Sequence, residues 1–256
     1  MWKIFKYKVI NEFRGAFFWV YTIFLFFFSL GFAYFTQDPS KTISSILSFS
    51  VLLMPLILMV FTIFDYYNSR DFIGMVLSYP LRRGQVFWGE FLSKVFSLTI
   101  GWTVGYFVPL VLIGWLNGVV IWMYISGLLL IFSLVPIALL FGILTEDKVS
   151  GISLVLGFWL LTSLVYDALI LFLSIYFSQY PIEKLVILLV FLNPIDLARI
   201  LVVRSLDIAV LMGYTGALFD EVFKGQLGII LIIASLLLWV FLPAFLGYRF
   251  FKLKDF

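Results

Sequence analysis

The feature that most constrains the fold of this chain is a series of apolar runs, each about 20 residues long and almost free of charge. A helix of that length crosses the ~30 Å hydrocarbon core of a bilayer. The runs cover residues 16–34, 43–64, 95–115, 120–144, 151–177 and 227–248. They predict an all-α integral membrane protein with six transmembrane helices, in a single domain over residues 1–256.

The overall composition disfavours the other fold classes. Hydrophobic residues make up 64% and charged residues 12% of the chain, against roughly 45–50% and 25% in soluble domains. A transmembrane β-barrel alternates apolar and polar residues over about ten positions, whereas these runs are continuous. The first run is too long for a cleaved signal peptide, so we expect it to be a membrane anchor.

The residue types that are missing restrict the chemistry. The chain has no cysteine and no histidine, which removes disulfides, thiolate nucleophiles, histidine bases and the usual zinc and copper ligands. It also lacks a G-x-x-x-x-G-K-[ST] phosphate-binding motif. We therefore expect no catalytic site, no metal site and no cofactor in this chain. Its net charge of +3 comes from basic residues beside the apolar runs, so we expect membrane lipid, not nucleic acid, as a partner.

The basic residues also predict an orientation. Residues 1–14 place Trp2, Phe5, Val9 and Phe13 at helical spacing, which is typical of an amphipathic helix lying in the membrane interface. That helix, the polar stretch 65–94 and the C-terminal end are all rich in Lys and Arg. Because cytoplasmic segments carry the excess of such residues, we expect a multi-pass protein of the cytoplasmic membrane with both termini in the cytoplasm.

The segment 178–226 then lies outside the cytoplasm, and it is too apolar to be a flexible linker. Residues 185–192 are apolar but too short to cross a bilayer, which indicates a re-entrant or interfacial piece. Residues 195–212 predict an amphipathic helix after an Asn-Pro break. Two interpretations remain open, a docking platform for another protein and a plug at the outer end of the bundle. The candidate contact residues of a platform are Asp196, Arg199, Arg204 and Asp207.

One carboxylate, Asp167, lies well inside a predicted span. Placing a charge there costs at least ~2.5 kcal/mol, so such residues are read as functional by default. Asp167 is therefore a candidate for the substrate path. The alternative is a structural role, as a hydrogen-bond partner of Thr162, Ser163 or a neighbouring helix.

The stretch between the second and third spans carries a recognisable motif, the string Leu-Ser-Tyr-Pro-Leu-Arg-Arg over residues 77–83. It resembles the cytoplasmic coupling segment of type 2 ABC-transporter permeases, a Leu-Leu-Ser-x-Pro-x-x-Arg string that docks on the ATPase subunit. Proline ends the coupling helix, and an arginine beyond it can pair with an acidic groove. The resemblance implies these ATPase-coupling residues: Asp71, Gly74, Leu77, Ser78, Tyr79, Pro80, Arg82 and Arg83.

The match departs from the family upstream of the proline. The family usually has Glu where this chain has Ser69, and a Gly-Thr pair at 71–72, whereas here the acid is Asp71 and the glycine is Gly74. A loop that merely obeys the positive-inside rule is the alternative interpretation.

The resemblance extends over nearly the whole chain and implies its function. An ABC-exporter-type permease acts as two copies with two separate ATPase subunits, which bind the ATP and Mg²⁺. More narrowly, Tyr166-Asp167 and residues 192–199 resemble the permeases of nitrous oxide reductase maturation transporters. That resemblance implies cargo for a maturing cuproenzyme and a periplasmic accessory protein. The alternatives are a secondary transporter and a membrane scaffold that does not transport.

Overall fold

The computed structural model describes residues 2–36, 39–177, 183–204 and 226–254, and the regular elements in these ranges are helices. Two of the spans contain a π-helical turn, Thr103–Phe107 and Leu161–Val165. The α-helices are α1 Trp2–Arg14, α2 Ala16–Thr36, α3 Pro39–Asn68, α4 Arg70–Leu77, α5 Arg83–Trp102, α6 Val108–Leu112, α7 Gly118–Leu144, α8 Lys148–Leu160, α9 Tyr166–Tyr176, α10 Glu183–Phe191, α11 Pro194–Val203 and α12 Gln226–Leu253.

Six stretches in the described residues are long and apolar enough to cross a membrane, which confirms the predicted all-α membrane fold. They are Ala16–Thr36, Ser44–Asn68, Arg83–Leu112, Gly118–Leu144, Lys148–Tyr176 and Gly228–Leu253. The third span begins at Arg83, twelve residues before the predicted start, and the second span continues to Asn68. The predicted polar stretch 65–94 is therefore mostly helix, and the loop between these spans is confined to about residues 69–82.

The helix α7 lies at the centre of the bundle. It is apolar on all sides, as expected of a helix that is buried all round, and it packs against α3, α5, α11 and α12. Gly127 of α7 lies directly against the indole of Trp102, which stacks on Tyr106 with ring centroids 4.6 Å apart. The core of the protein thus depends on the close approach of α7 to the third span at Gly127 and on the stacked rings of Trp102 and Tyr106.

The π-helical turn in the third span comes immediately before a proline. Pro109 has no backbone N–H, so a regular helix would leave a carbonyl in the preceding turn without its donor. In this turn the N–H of Val108 bonds instead to the carbonyl of Thr103, five residues earlier. The widened turn absorbs the defect and lets the span continue through α6 to Leu112.

One end of the bundle collects α1, the loop 69–82, the loop 145–147 and the C-terminal residues. Arg83 donates through Nη1 to the carbonyls of Lys252 and Lys254, at 2.7 Å each. Lys254 in turn donates to the carbonyl of Thr145 at 2.9 Å, and Arg70 donates to the carbonyl of Glu146. Cationic side chains therefore donate hydrogen bonds to the carbonyl groups at helix C-termini here. We call this end of the bundle the basic end.

The helices α10 and α11 form a hairpin at the other end. Their axes meet at 106° across residues 192–193, which is the geometry of a broken span or a re-entrant loop. Asn193 caps α11 through a bond from the N–H of Ile195 to its Oδ1. The helix α11 is buried between α3, α7 and α12. The rest of the predicted helix 195–212 lies outside the described residues after Arg204.

Candidate coupling site and buried ionic clusters

The segment 69–82 forms a short helix, α4, followed by an exposed turn. One face of α4 is buried through Ile73 and Val76, while Met75 and Tyr79 project outward with 56% and 64% of their surface exposed. The turn follows because Pro80 cannot continue a helix and favours an extended residue before it. The N–H of Ser78 still bonds to the carbonyl of Gly74 at 3.2 Å, which closes the last turn of α4. The end of α4 and the turn after it, residues 75–82, therefore form an exposed projection at the basic end, which we call the knob.

The sequence-predicted coupling residues occupy two environments. Asp71, Ser78, Tyr79, Pro80 and Arg82 are exposed, whereas Gly74, Leu77 and Arg83 are partly buried. Arg82 has an extended backbone (φ −73°, ψ 128°) at the start of α5, so its side chain stands beyond the proline. Arg83 instead points into the protein and holds the end of α12. Arg82 is therefore exposed at the surface, whereas Arg83 is bonded within the protein.

A buried charge network, formed by Lys8, Glu12, Asp65, Glu90 and Lys94, ties α1 to the two spans beside this loop. The Nζ of Lys8 is 2.8 Å from Oε2 of Glu90. The Nζ of Lys94 is 2.9 Å from Oδ2 of Asp65 and also pairs with Glu12. All five side chains are buried except that of Asp65, which is 19% exposed. Burial removes water from these charged groups. Each buried charge is therefore tolerated only because an oppositely charged partner lies beside it.

The network holds three carboxyl groups and two ammonium groups, so it contains one acid in excess. Burial raises the pKa of Glu12 from 4.5 to about 7, against the opposing effect of Lys94. A proton held on Glu12 near neutral pH therefore balances the charges.

The buried charges show which side of α1 faces the protein. Lys8 and Glu12 are its buried residues, and Ile4 packs against the core. Trp2, Tyr7 and Ile10 are its exposed large apolar side chains. Sequence reasoning missed this network. The available signal was the spacing of Lys8 with Glu12 and of Glu90 with Lys94, two i,i+4 pairs in complementary order.

A second polar group, the hairpin cluster, joins the re-entrant hairpin to the fifth span. Arg199 of α11 places Nη1 and Nη2 at 2.9 and 3.0 Å from the two carboxylate oxygens of Asp167, and it also pairs with Asp196. Asn193 donates to Oδ2 of Asp196 at 2.8 Å and to the carbonyl of Thr162 at 2.8 Å. Thr162 belongs to the π-helical turn Leu161–Val165 of that span.

This geometry brings together residues that the sequence assigned to separate sites. Asp167 is paired and 43% exposed, Arg199 is 26% exposed, and Asp196 is 3% exposed at its side chain. A contact rim for another protein does not fit Asp196, because its carboxylate is used inside the bundle. Arg204 is partly exposed at the end of α11, and Asp207 lies outside the described residues.

The chain is similar over most of its length to two curated proteins. It is 30% identical over 179 residues to a probable ABC transporter permease protein NosY of Stutzerimonas stutzeri, an alignment covering 65% of this chain and 64% of that protein. It is 27% identical over 233 residues to the protein of the same name from Pseudomonas aeruginosa, covering 82% and 83%. The chain is therefore similar to ABC transporter permeases of the NosY type.

No family model matches the chain. The similarity to NosY-type permeases therefore depends on these two relatives, and the six spans agree with it. The loop 69–82 contains the sequence motif that predicts a coupling segment.

Proposed function

We propose that this chain is the membrane-spanning subunit of an ABC transporter, acting as two copies with two separate ATPase subunits that bind ATP and Mg²⁺. The observation that carries the proposal is the knob, in which Tyr79, Pro80 and Arg82 are exposed at the basic end. The NosY-like relatives support it because their name is that of ABC transporter permeases.

The charge network gives the knob a mechanical connection to the spans. Asp65 lies in the last turns of α3, just before the loop, and Glu90 and Lys94 lie in the first turns of α5, just after it. Lys94 and Glu90 bind α1 as well. A push on the loop by closing ATPases would therefore move α3, α5 and α1 together, as one rigid group.

The hairpin cluster is the corresponding point at the opposite end. Movement of the fifth span would pull on the ion pair between Asp167 and Arg199. It would thereby move the hairpin that covers this end of the bundle. We propose that Asp167 acts in the transport path through this bond, opening the path when the hairpin moves. The orientation with both termini in the cytoplasm places the hairpin on the outer face, where cargo for a maturing cuproenzyme and a periplasmic accessory protein would meet it.

The test is whether ATPase subunits remain bound and coupled when Arg82 is reversed in charge. Arg82→Glu, and Pro80→Ala combined with Arg82→Ala, leave the buried face of α4 intact. Facing like charges across an interface costs several kcal/mol, so we expect at least a roughly tenfold loss of ATPase co-purification or of substrate-stimulated turnover.

Arg249→Glu is the matched control, because Arg249 is an exposed arginine at the same end of the bundle. It should retain the ATPase partner and full turnover. If Arg82→Glu also keeps full turnover, the coupling assignment is wrong. If native membranes yield no ATPase partner for the unmodified chain, a secondary transporter or a scaffold is the better explanation.

A further inference from the structure

The basic end contains a cavity of about 460 Å³ between the start of α5 and the last turns of α12. Among the described residues it is lined by Arg82, Arg83, Gln85, Trp88, Tyr248 and Lys252, none of which is acidic. Gly84 lets α5 pack closely against α12 at the wall of the cavity, since a methyl group there would come within 2.8 Å of the Tyr248 ring. The cavity is therefore lined by two aromatic rings and by three cationic side chains.

The cations are held in place around this space. Lys252 sits over the ring of Tyr248, with its Nζ 4.5 Å from the ring centroid. Arg83 is fixed by its bonds to the carbonyls of Lys252 and Lys254, and Arg82 is exposed at the mouth. Three positive charges thus converge on one cavity, and no carboxylate of the residues that the structure describes lines it, which leaves an attractive potential for an anion.

The location selects the kind of anion. Arg83 is the first residue of the third span, and Lys252 lies in the last turn of the sixth, so the cavity is at the same end of both membrane-spanning helices. Trp88 and Tyr248, with ring centroids 6.1 Å apart, are the amphipathic side chains typical of headgroup depth. Along α12, Phe241, Leu242 and Phe245 are exposed toward the apolar zone and continue away from the cavity.

We propose that this cavity binds the phosphodiester headgroup of an anionic phospholipid, whose acyl chains lie along Phe245 and its neighbours on α12. Basic pockets between spans at a membrane face suit such headgroups. A soluble anion would use the same cations but has no chain to cover the exposed apolar side chains. The site goes beyond the proposed transport function. It shares Arg82 with the proposed ATPase contact, so its test is made on Lys252.

The test uses the full chain purified in detergent, with phosphatidylglycerol and phosphatidylcholine added in equal amounts and bound lipid counted by native mass spectrometry. We expect preferential retention of phosphatidylglycerol. Lys252→Gln should weaken it roughly fivefold, since each basic side chain near a lipid surface contributes about that factor. Lys252→Arg should restore it. The matched control Arg249→Gln removes an exposed cation from the same helix outside the cavity and should retain the lipid.

Each remaining result counts against the proposal. Equal losses in Lys252→Gln and Arg249→Gln mean that a diffuse positive surface holds the lipid. Displacement by millimolar inorganic phosphate means an anion site without a lipid requirement. Unchanged phosphatidylglycerol in Lys252→Gln rejects the cavity, and if that variant instead loses the ATPase subunits, the cavity belongs to the ATPase interface. Size-exclusion profiles matching the unmodified protein show that the variants are folded.

Discussion

Arg199 forms a bidentate ion pair with Asp167 across 32 positions of sequence, one nitrogen on each carboxylate oxygen at 2.9 and 3.0 Å. A planar guanidinium is suited to this geometry and a lysine is not. The pair fixes the re-entrant hairpin to the fifth span at one angle. Arg199 also carries the charge that makes the burial of Asp196 tolerable.

The first prediction ranks two substitutions in this cluster. Arg199→Met leaves the buried carboxylate of Asp196 without its cation, a change that costs about 3–5 kcal/mol in comparable buried pairs. Asp167→Asn leaves Arg199 paired with Asp196 and keeps a hydrogen-bonding side chain at position 167, so its cost should be the smaller of the two. Thermal unfolding in detergent should therefore place Arg199→Met well below Asp167→Asn.

The double variant Arg199→Met with Asp196→Asn is the control, because it removes the stranded charge together with its partner. It should recover a large part of the lost stability. Wild-type transport in Asp167→Asn, together with lost assembly in Asp167→Leu, would leave Asp167 a structural role alone.

The second prediction concerns the pH dependence that Glu12 gives to the packing of α1. Its pKa is raised by burial to about 7, in the company of Lys94 and Asp65, with Lys8 and Glu90 in the same network. The folded chain therefore binds this proton where the unfolded chain, with a pKa near 4.5, has released it. The stabilisation is complete below about pH 4.5 and is lost as the pH rises through 7.

The free energy of unfolding should thus fall between pH 6 and pH 8, by about 1 kcal/mol from this group. Glu12→Gln is neutral at every pH and should flatten the profile over that interval. The measurement is thermal unfolding at both pH values. A slope that persists unchanged in Glu12→Gln assigns the dependence to another group.

The membrane fold was predictable because it depends on a local property. A run of apolar residues long enough to span the bilayer must form a helix whatever its neighbours are, since lipid offers its backbone no other hydrogen-bond partner. The loop motif around Pro80 was predictable for a similar reason, because proline ends α4 locally. Both depend on residues that are adjacent in sequence.

The buried charges were not placed correctly, because their burial depends on partners far along the chain. Glu90 and Lys94 were assigned to a polar loop on charge alone, yet Lys8 and Glu12 neutralise them inside the third span. Asp167 and Arg199 were both identified but assigned to different sites. Only the turn at Asn193-Pro194 brings them together, and its 106° angle depends on packing against three other helices.

The third prediction tests the close packing at the centre of the bundle. A methyl group at Gly127 would overlap the indole of Trp102, which is fully buried and cannot move away. Gly127→Ala should therefore destabilise the protein by about 1–3 kcal/mol, the usual range for overpacking. Gly31→Ala is the matched control, since nothing lies within 4 Å of its added methyl group, and it should be neutral or slightly stabilising.

The last prediction fixes the orientation in the membrane by cysteine labelling. The chain contains no cysteine, so Tyr79→Cys at the basic end and Leu116→Cys at the opposite end each give one reactive thiol. Both positions are well exposed, at 64% and 57%. Because Lys and Arg are retained in the cytoplasm, an impermeant maleimide should label Leu116→Cys in intact cells and Tyr79→Cys only after the membrane is broken. The unmodified chain should take no label, and the reverse pattern would place both termini and the proposed ATPase-binding knob outside the cell.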